Sequence, residues 1–294
     1  MKKLITLACI LLFASSANAQ LLWKVSGNGL KNPSYLFGTH HLAPLSVLDK
    51  VPGYKEAFGA TTQVVGEVIM KDLQSPDNMQ KMQKAILISN DTTAQMLFTE
   101  KEQEMINCFI KPTLGFDLNQ VPKLKPSFIC AMTSVTIIRK SLPGYNPNEQ
   151  LDGYFQTKGE ETGKKVSALE DIDFQLKLMY DSQSLKRQAK LLVCSLSDTI
   201  KLVKQAKDLN NAYLSFDLKK MIQLSEERDG TSCDPLPGEF EALLEYRNKD
   251  WATKLPAIMK EASTFIAVGA LHLPGKAGLI ALLKKQGYKV EPMK

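Results

Sequence analysis

Two apolar segments at opposite ends of the chain share one closing motif, and this repetition restricts the possible folds. Residues 34–41 (SYLFGTHH) and residues 265–272 (FIAVGALH) each resemble a β-strand that ends in glycine, with a histidine three positions later. The chain contains only three histidines, and the two motifs use His41 and His272. If the two strands pair, their ends meet at one edge of a sheet, where ligands usually bind. We therefore predict a sheet assembled from both ends of the chain, with His41 close to His272.

The remaining strand-like segments support this arrangement. Residues 21–26 precede residues 34–39 across a turn-rich segment and predict a β-hairpin. A further strand is predicted at 62–68, which contains several β-branched residues, and segments 165–170 and 287–292 are also predicted to be strands.

The middle of the chain is predicted to be helical. Helical periodicity begins after residue 80 and continues with breaks to about residue 140, and it then covers 171–228 and 238–261. A short helix bounded by glycines lies between the last two strands. These elements predict an α/β (α+β) fold: a mixed central sheet built from N- and C-terminal strands, flanked by helices, with a helical insertion in the middle.

The first 19 residues are typical of an export signal. Two lysines precede an apolar stretch at 4–14, and Ala17-Asn18-Ala19 forms a small-x-small cleavage site. The apolar stretch is shorter than the roughly 20 residues that a membrane-spanning helix needs. We therefore predict a signal peptide at 1–19 and one domain at 20–294. The product is expected in the periplasm or outside the cell, with no transmembrane segment after signal removal.

Export changes the interpretation of the cysteines. Once Cys9 leaves with the signal, Cys108, Cys130, Cys194 and Cys233 remain in an oxidising compartment, where disulfides persist. Four cysteines allow three sets of pairs, and the sequence does not choose among them. Of the three sets we favour pairing between nearest neighbours along the chain, which joins Cys108 to Cys130 and Cys194 to Cys233. A zinc site of four thiolates would need CxxC-type spacing, which these cysteines lack.

The charge of the chain does not indicate a polyanionic partner. Lysine and arginine number 37 against 31 acidic residues, which gives a net charge of +6 that is spread along the sequence. Nucleic-acid binding usually shows as a clustered basic patch, so we expect no nucleic-acid partner.

Carboxylates at comparable strand ends are candidates for completing a metal site, because two histidines rarely suffice. Glu67 follows a predicted strand and a glycine, and Glu170 closes the strand predicted at 165–170. Two histidines with one or two carboxylates form an open site that activates water, and the carboxylates can alternatively serve as a general base. A single histidine at a strand end is more often a surface or hydrogen-bonded residue. The hypothesis of a metal site therefore depends on the presence of two matched copies of the glycine–histidine motif.

Several segments together resemble the TraB/PrgY/GumN family. They are LLWKVSGNGLKNPSYLFGTHHL at 21–42, GE at 66–67, ALED at 168–171, YRNKDWATKL at 246–255 and VGALHLPGKAGLIALLKKQGYKVEP at 268–292. They resemble most its bacterial GumN-like branch, which is related to the animal Tiki proteins. The resemblance spans nearly the whole chain after the predicted signal and is weak between about 75 and 160.

The resemblance implies a site built from two GxxH motifs and a glutamate, which fall on His41, His272 and Glu67. These residues would bind a divalent metal ion (Mn, Co or Zn), and Glu67 would alternatively act as a catalytic residue that activates water. The family pattern also includes an arginine-asparagine pair, here Arg247 and Asn248. Arg247 would be catalytic if its guanidinium held a substrate carboxylate or an oxyanion. A structural ion pair is the equally open alternative for Arg247.

The resemblance also implies what the chain does. Tiki proteins are described as divalent-metal-dependent proteases, so we expect an exported metal-dependent hydrolase, a peptidase, acting on a peptide or small-molecule substrate. The alternatives are a non-catalytic periplasmic binding protein that sequesters a peptide or small ligand, and a haem or iron carrier.

His40 departs from the family pattern, which has an apolar or small residue at that position. Successive side chains of an extended chain point to opposite sides, so only one of His40 and His41 should face the site. We expect that residue to be His41.

Overall fold

The computed structural model describes residues 20–142, 145–146 and 148–294. The predicted signal peptide at 1–19 lies outside the described residues. Within the described part of the chain, no helix has both the length and the apolar character needed to cross a bilayer.

Among the described residues, six strands form one sheet, and each lies where the sequence predicts a strand. Their bounds are β1 Leu22–Ser26, β2 Ser34–Thr39, β3 Gln63–Gly66, β4 Lys165–Ala168, β5 Thr264–Gly269 and β6 Lys289–Pro292. The order across the sheet is β4-β3-β5-β2-β1-β6. Strands β4, β3, β5 and β2 run parallel, whereas β1 is antiparallel to both of its neighbours. The predicted hairpin and the mixed sheet built from both ends of the chain are therefore confirmed.

Twelve α-helices surround this sheet in the described residues. Their bounds are α1 Tyr54–Gly59, α2 Pro76–Ala85, α3 Glu100–Leu114, α4 Pro126–Ser141, α5 Leu151–Glu161, α6 Ile172–Tyr180, α7 Leu185–Ser197, α8 Thr199–Leu214, α9 Leu218–Glu226, α10 Glu239–Leu243, α11 Glu245–Glu261 and α12 Leu279–Lys285. The α/β class with a helical middle is confirmed.

Three helices differ from the prediction. Helix α2 begins at Pro76 rather than after residue 80, because the Ser75 side chain caps it and proline suits the first helical turn. Helices α1 and α5 were not predicted. Glycines at both ends of α1 and inside α5 weaken the helical signal, and burial against the sheet compensates for that weakness.

Helix α5 packs tightly against the parallel part of the sheet. The Phe155 ring lies 4.8 Å from the rings of both Phe37 on β2 and Phe265 on β5. A Cβ added at Gly159 would lie 2.8 Å from a methyl carbon of Val64 on β3, so only glycine permits this approach. Because α5 leads into the parallel strand β4, its first turn lies at the carboxyl edge of the sheet. Helix α11 leads into β5 in the same way.

The helical insertion has an apolar core of its own. Buried side chains from the region before α3, from α3, α4 and α7, and from the loop between α3 and α4 form this cluster; its members are Ala94, Phe98, Ile106, Ile110, Leu118, Ile129, Ala189, Leu192 and Leu196. The main core is a separate cluster that covers both faces of the sheet.

One of the two expected disulfides is present. Cys194 on α7 is bonded to Cys233 in the loop before α10. Cys108 and Cys130 are not bonded to each other, so that part of the prediction is wrong. Cys108 lies on the exposed face of α3, whereas Cys130 is half-buried against the core of the insertion, and the two side chains therefore occupy different surfaces of their helices.

Candidate functional site

Four neighbouring parallel strands each end in a residue that the sequence marks as a candidate. Glu170 follows β4, Glu67 follows β3, His272 follows β5 and His41 follows β2. The carboxyl ends of parallel strands share one edge, which is where open α/β sheets usually bind ligands. His272 lies in a short 3₁₀ turn, Ala270–His272, immediately after β5.

The glycines of the two GxxH motifs allow this edge to pack closely. A Cβ at Gly38 would lie 3.0 Å from the Cα of Ala270, which follows β5. A Cβ at Gly269 would lie 3.3 Å from Glu67 Oε1. The glycine in each motif therefore leaves room for a residue of the neighbouring strand end.

Glu67 is held as an ionised carboxylate. Its Oε1 accepts a hydrogen bond from the Gly269 N–H at 2.8 Å, and its Oε2 accepts one from Arg247 Nη2 at 2.5 Å. Burial by itself would raise the pKa of Glu67, but the His272 ring, the Arg247 guanidinium and the Gly269 N–H together hold that pKa below its usual value.

Arg247, in the first turn of α11, connects most of the site. Its Nε donates to Glu170 Oε1 at 2.8 Å, and its Nη2 donates to Glu170 Oε2 at 2.8 Å and to Glu67 Oε2. Its Nη1 donates to the Leu243 carbonyl at 3.1 Å and faces His272 Nε2, also at 3.1 Å. All five N–H groups of a guanidinium are therefore occupied. In this arrangement Arg247 makes ion pairs and has no N–H group left for a substrate.

Glu170 and Trp251 form the buried floor behind Arg247. The Glu170 side chain is only 3% exposed, and its Oε1 also accepts a hydrogen bond from Trp251 Nε1 at 2.9 Å. The Arg247 guanidinium lies over the Trp251 ring, 4.7 Å from its centroid. Glu170 therefore holds Arg247 in place rather than facing a ligand.

His272 is buried and keeps one ring nitrogen unprotonated. Its Nδ1 lies 2.7 Å from Asn248 Oδ1, and Asn248 Nδ2 donates to the Ala277 carbonyl at 2.9 Å. The second bond places the amide oxygen towards the ring, so Nδ1 carries the proton and Nε2 carries the lone pair. Burial lowers the pKa of His272 to about 4, so the ring is neutral at pH 7. Its Nε2 lies 3.8 Å from Glu67 Oε1.

His41 lies at the outer side of the site, with 72% of its side chain exposed. Its Nδ1 is 3.3 Å from Asp152 Oδ2, and Asp152 Oδ1 accepts a hydrogen bond from Thr39 Oγ1 at 2.7 Å. Contact with Asp152 raises the pKa of His41 to about 9. Because His41 is exposed, solvent screens its charge, and the net contribution of the pair to stability is small.

His40 points away from its neighbour and packs against α8. Its ring centroid lies 5.1 Å from that of Tyr213, whose hydroxyl donates to the Gly38 carbonyl at 2.8 Å. Burial lowers the pKa of His40 to about 4, and its Nε2 has no hydrogen-bond partner among the described residues. The structure thus separates the two adjacent histidines, as an extended chain requires.

The donor set partly fits a divalent ion. His272 Nε2 and Glu67 Oε1 are 3.8 Å apart, which two bonds of about 2.1 Å each to one ion can span. His41 instead makes its carboxylate contact with Asp152. Consequently, the described residues contain no group of three or more histidine, cysteine, aspartate or glutamate side chains close enough to hold a metal ion.

Two polar residues of the site were not predicted from the sequence. Asp152, in the first turn of α5, contacts His41 and Thr39, and Gln175 on α6 places its Nε2 3.4 Å from Glu67 and 3.3 Å from Glu170. Asp152 lies 113 residues from Thr39 along the chain. No local pattern marks such a contact. Only the packing of α5 and α6 against the sheet reveals it.

Comparison with known proteins gives two findings. The profile of the TraB/PrgY/gumN family matches residues 21–292. A protein named metalloprotease TIKI homolog, from Nematostella vectensis, is 24% identical over an alignment that covers 89% of this chain and 65% of that protein. The chain therefore spans about 65% of the length of this relative. No solved structure matches the chain significantly.

Proposed function

Because the chain belongs to the TraB/PrgY/gumN family, we propose that it is an exported, divalent-metal-dependent hydrolase that cleaves peptide bonds. The observation that carries the proposal is that His41, Glu67 and His272 follow three adjacent parallel strands at one edge of the sheet. The choice of peptide bonds is supported by the distant relative that is named a metalloprotease.

Three residues of the chain would hold the ion. His272 would offer the Nε2 lone pair that faces Arg247 Nη1 in this structure, and Glu67 would offer an ionised carboxylate. His41, whose side chain is largely exposed, would have to leave Asp152 and turn towards them. Imidazole and carboxylate ligands suit Mn, Co or Zn. A divalent ion held there supplies Lewis-acid polarisation of a carbonyl oxygen.

The neighbouring residues would keep Glu67 ionised and limit the access of water to the site. Arg247 and the Gly269 N–H keep Glu67 ionised, so Glu67 would, as the alternative to binding the ion, accept a proton from an attacking water as a general base. Glu170 and Trp251 exclude water from the inner side of Arg247. The side of the site near His41 is open to solvent, and the substrate would approach from there.

Export is part of the proposal. The lysines, the apolar stretch and the small-x-small site at 1–19 support removal of a signal peptide and a location in the periplasm or outside the cell. The disulfide between Cys194 and Cys233 supports an oxidising compartment.

A second candidate is a non-catalytic protein that sequesters a peptide or small ligand. Two observations favour it: Arg247 has no N–H group free for an oxyanion, and His41 lies apart from the other two predicted ligands. Prolonged incubation with peptide and metal separates the two functions. Mass spectrometry should find cleaved peptide for a hydrolase and intact bound peptide for a sequestering protein.

Metal analysis of the purified protein tests the site itself. We expect Mn, Co or Zn to be retained by the wild type and largely lost in His41→Ala and His272→Ala. His40→Ala is the matched control and should retain the metal, because His40 packs against Tyr213 outside the site. Unchanged metal content in both His41→Ala and His272→Ala would refute the proposal.

A further inference from the structure

The exported chain would begin directly at the sheet. Cleavage after Ala19 would leave Gln20 as the first residue, and strand β1 begins two residues later, at Leu22. Leu21 and Leu22 are fully buried, and the Leu21 carbonyl accepts a hydrogen bond from the Gly38 N–H at 2.8 Å. The exported chain would therefore have no free tail in front of its first strand.

Gln20 is itself buried, but its side-chain oxygen is not held by a hydrogen bond. The residue is 8% exposed, and its main-chain carbonyl accepts a hydrogen bond from Trp23 Nε1 at 2.8 Å. The side-chain Oε1 is buried and has no hydrogen-bond partner among the described residues. A buried polar oxygen without a donor is costly, so this arrangement of the Gln20 side chain is unfavourable.

Removal of the signal would place a charged amine at this buried residue. A free α-amino group is largely protonated near neutral pH. Burial of an ammonium group without a paired anion is costly. A reaction that removes the charge of the new amine is therefore favoured by the burial of Gln20.

We propose that Gln20 is a modification site, and that the exported chain begins with pyroglutamate formed from this residue. The α-nitrogen of Gln20 attacks its own side-chain carbon, Cδ. The new N–Cδ bond closes a lactam ring, the Cδ–Nε2 bond breaks, and one proton of the amine leaves with Nε2 as ammonia. No oxidant, reductant or other reactant is consumed. The modification rests on the export that is part of the proposed function, because the amine is free only after cleavage.

The lactam suits this position better than the ammonium group. The ring keeps the side-chain carbonyl oxygen of Gln20 and one N–H donor, but it carries no charge. The first residue can therefore stay buried next to β1 without the cost of an unpaired ammonium group.

The intact mass of the exported protein tests the modification. The protein is produced with its own signal peptide in a bacterial host and purified from the periplasm or the medium. We expect the mass of residues 20–294 with one disulfide, reduced by the mass of one ammonia molecule. The mass is measured before digestion, because handling of peptides itself cyclises N-terminal glutamine. Fragmentation of the tryptic peptide at 20–24 then assigns the loss to Gln20.

Gln20→Asn is the matched control. Asparagine keeps a side-chain amide that is one methylene group shorter, so its cyclisation would require a smaller and strained ring. This variant should begin with a free amine and have the full mass of its chain. The same loss of ammonia in Gln20→Asn would overturn the assignment to Gln20.

The other outcomes separate the modification from export. Residues 20–294 with full mass and a reactive α-amine would refute the modification and support export. A chain that begins at another residue would refute the modification, because Gln20 would carry no free amine. Retention of the signal peptide would refute export, and the modification with it.

Thermal unfolding tests the consequence for the fold. The cyclised and uncyclised forms differ by one positive charge, so cation exchange separates them, and Gln20→Asn replaces the uncyclised form if the wild type contains none. The cyclised form should unfold at the higher temperature, because it buries no ammonium group at its first residue. Equal unfolding temperatures would show that this charge is not buried, which contradicts the structural reason for the modification.

Discussion

The sheet edge and the helical insertion are stabilised in different ways. The sheet edge holds a buried network of charged and polar groups, in which Glu67 is joined to Arg247 across 180 residues of chain and to the Gly269 N–H across 202. The insertion has an apolar core of its own, made mostly by α3, α4 and α7, and a disulfide joins α7 to the loop before α10. The predicted site residues all lie at the sheet edge.

This difference shows where the molecule tolerates change. An apolar core accepts substitutions that conserve volume, because its contacts are numerous and weak. A buried ionic network depends on each member, since removal of one partner leaves another charge without compensation. We therefore expect single polar substitutions at the sheet edge to affect stability more than changes at the surface of the insertion.

The largest effect is expected from Glu170→Gln. The change removes the charge that is paired with Arg247 at a position where both side chains are less than a tenth exposed. Breaking such a buried pair costs about 3–5 kcal/mol. Urea denaturation measures the free energy of unfolding.

The matched control for Glu170→Gln is Glu261→Gln. Its pair with Lys165 is more than half exposed on both sides, so its loss should cost less than about 1 kcal/mol. Similar decreases in the free energy of unfolding for Glu170→Gln and Glu261→Gln would show that the site is not the buried ionic network described above.

A smaller effect is expected from Cys194→Ser combined with Cys233→Ser. The disulfide closes a loop of 39 residues, and its removal should lower the free energy of unfolding by about 2–4 kcal/mol. Thermal unfolding under non-reducing conditions measures the change. Cys108→Ser is the control and should change stability by less than about 0.5 kcal/mol, because Cys108 is exposed and unbonded. A comparable decrease in stability for Cys108→Ser would contradict the assignment of the disulfide to Cys194 and Cys233.

The smallest effect is the pH dependence that His272 contributes. Burial lowers its pKa from 6.5 to about 4, so the unfolded chain binds the proton more readily than the folded chain. The stabilisation is complete above pH 6.5 and is lost as the pH falls towards 4. For such a group, about 2 kcal/mol should be lost between pH 8 and pH 5.

Comparison of wild type with His272→Gln isolates this contribution. The difference between their free energies of unfolding should shrink as the pH falls from 8 to 5. His40→Gln should behave similarly, because burial also lowers the pKa of His40 to about 4. A pH-independent difference for His272→Gln would show that His272 is not buried in its neutral form.

The strands were predictable because each is a short run of apolar or β-branched residues bounded by turn residues, as at 34–39 and 264–269. Helix α5 was not predictable, because Gly153 and Gly159 weaken its local signal. Gly159 is explained only by the contact with Val64 on β3. The cysteine pairing failed for Cys108 and Cys130 because proximity along the chain does not determine the direction of side chains on packed helices.

The sequence by itself determined which side chains end the parallel strands, because the strand-glycine-histidine pattern is local and marks His41 and His272 directly. Only the tertiary structure decided what those side chains contact. Asp152 and Asn248 reach the histidines because α5 and α11 run back across the sheet and place their first turns at its carboxyl edge. Helix periodicity identifies a buried face but does not specify which strand end that face meets, so such partners are set by packing over long sequence separations.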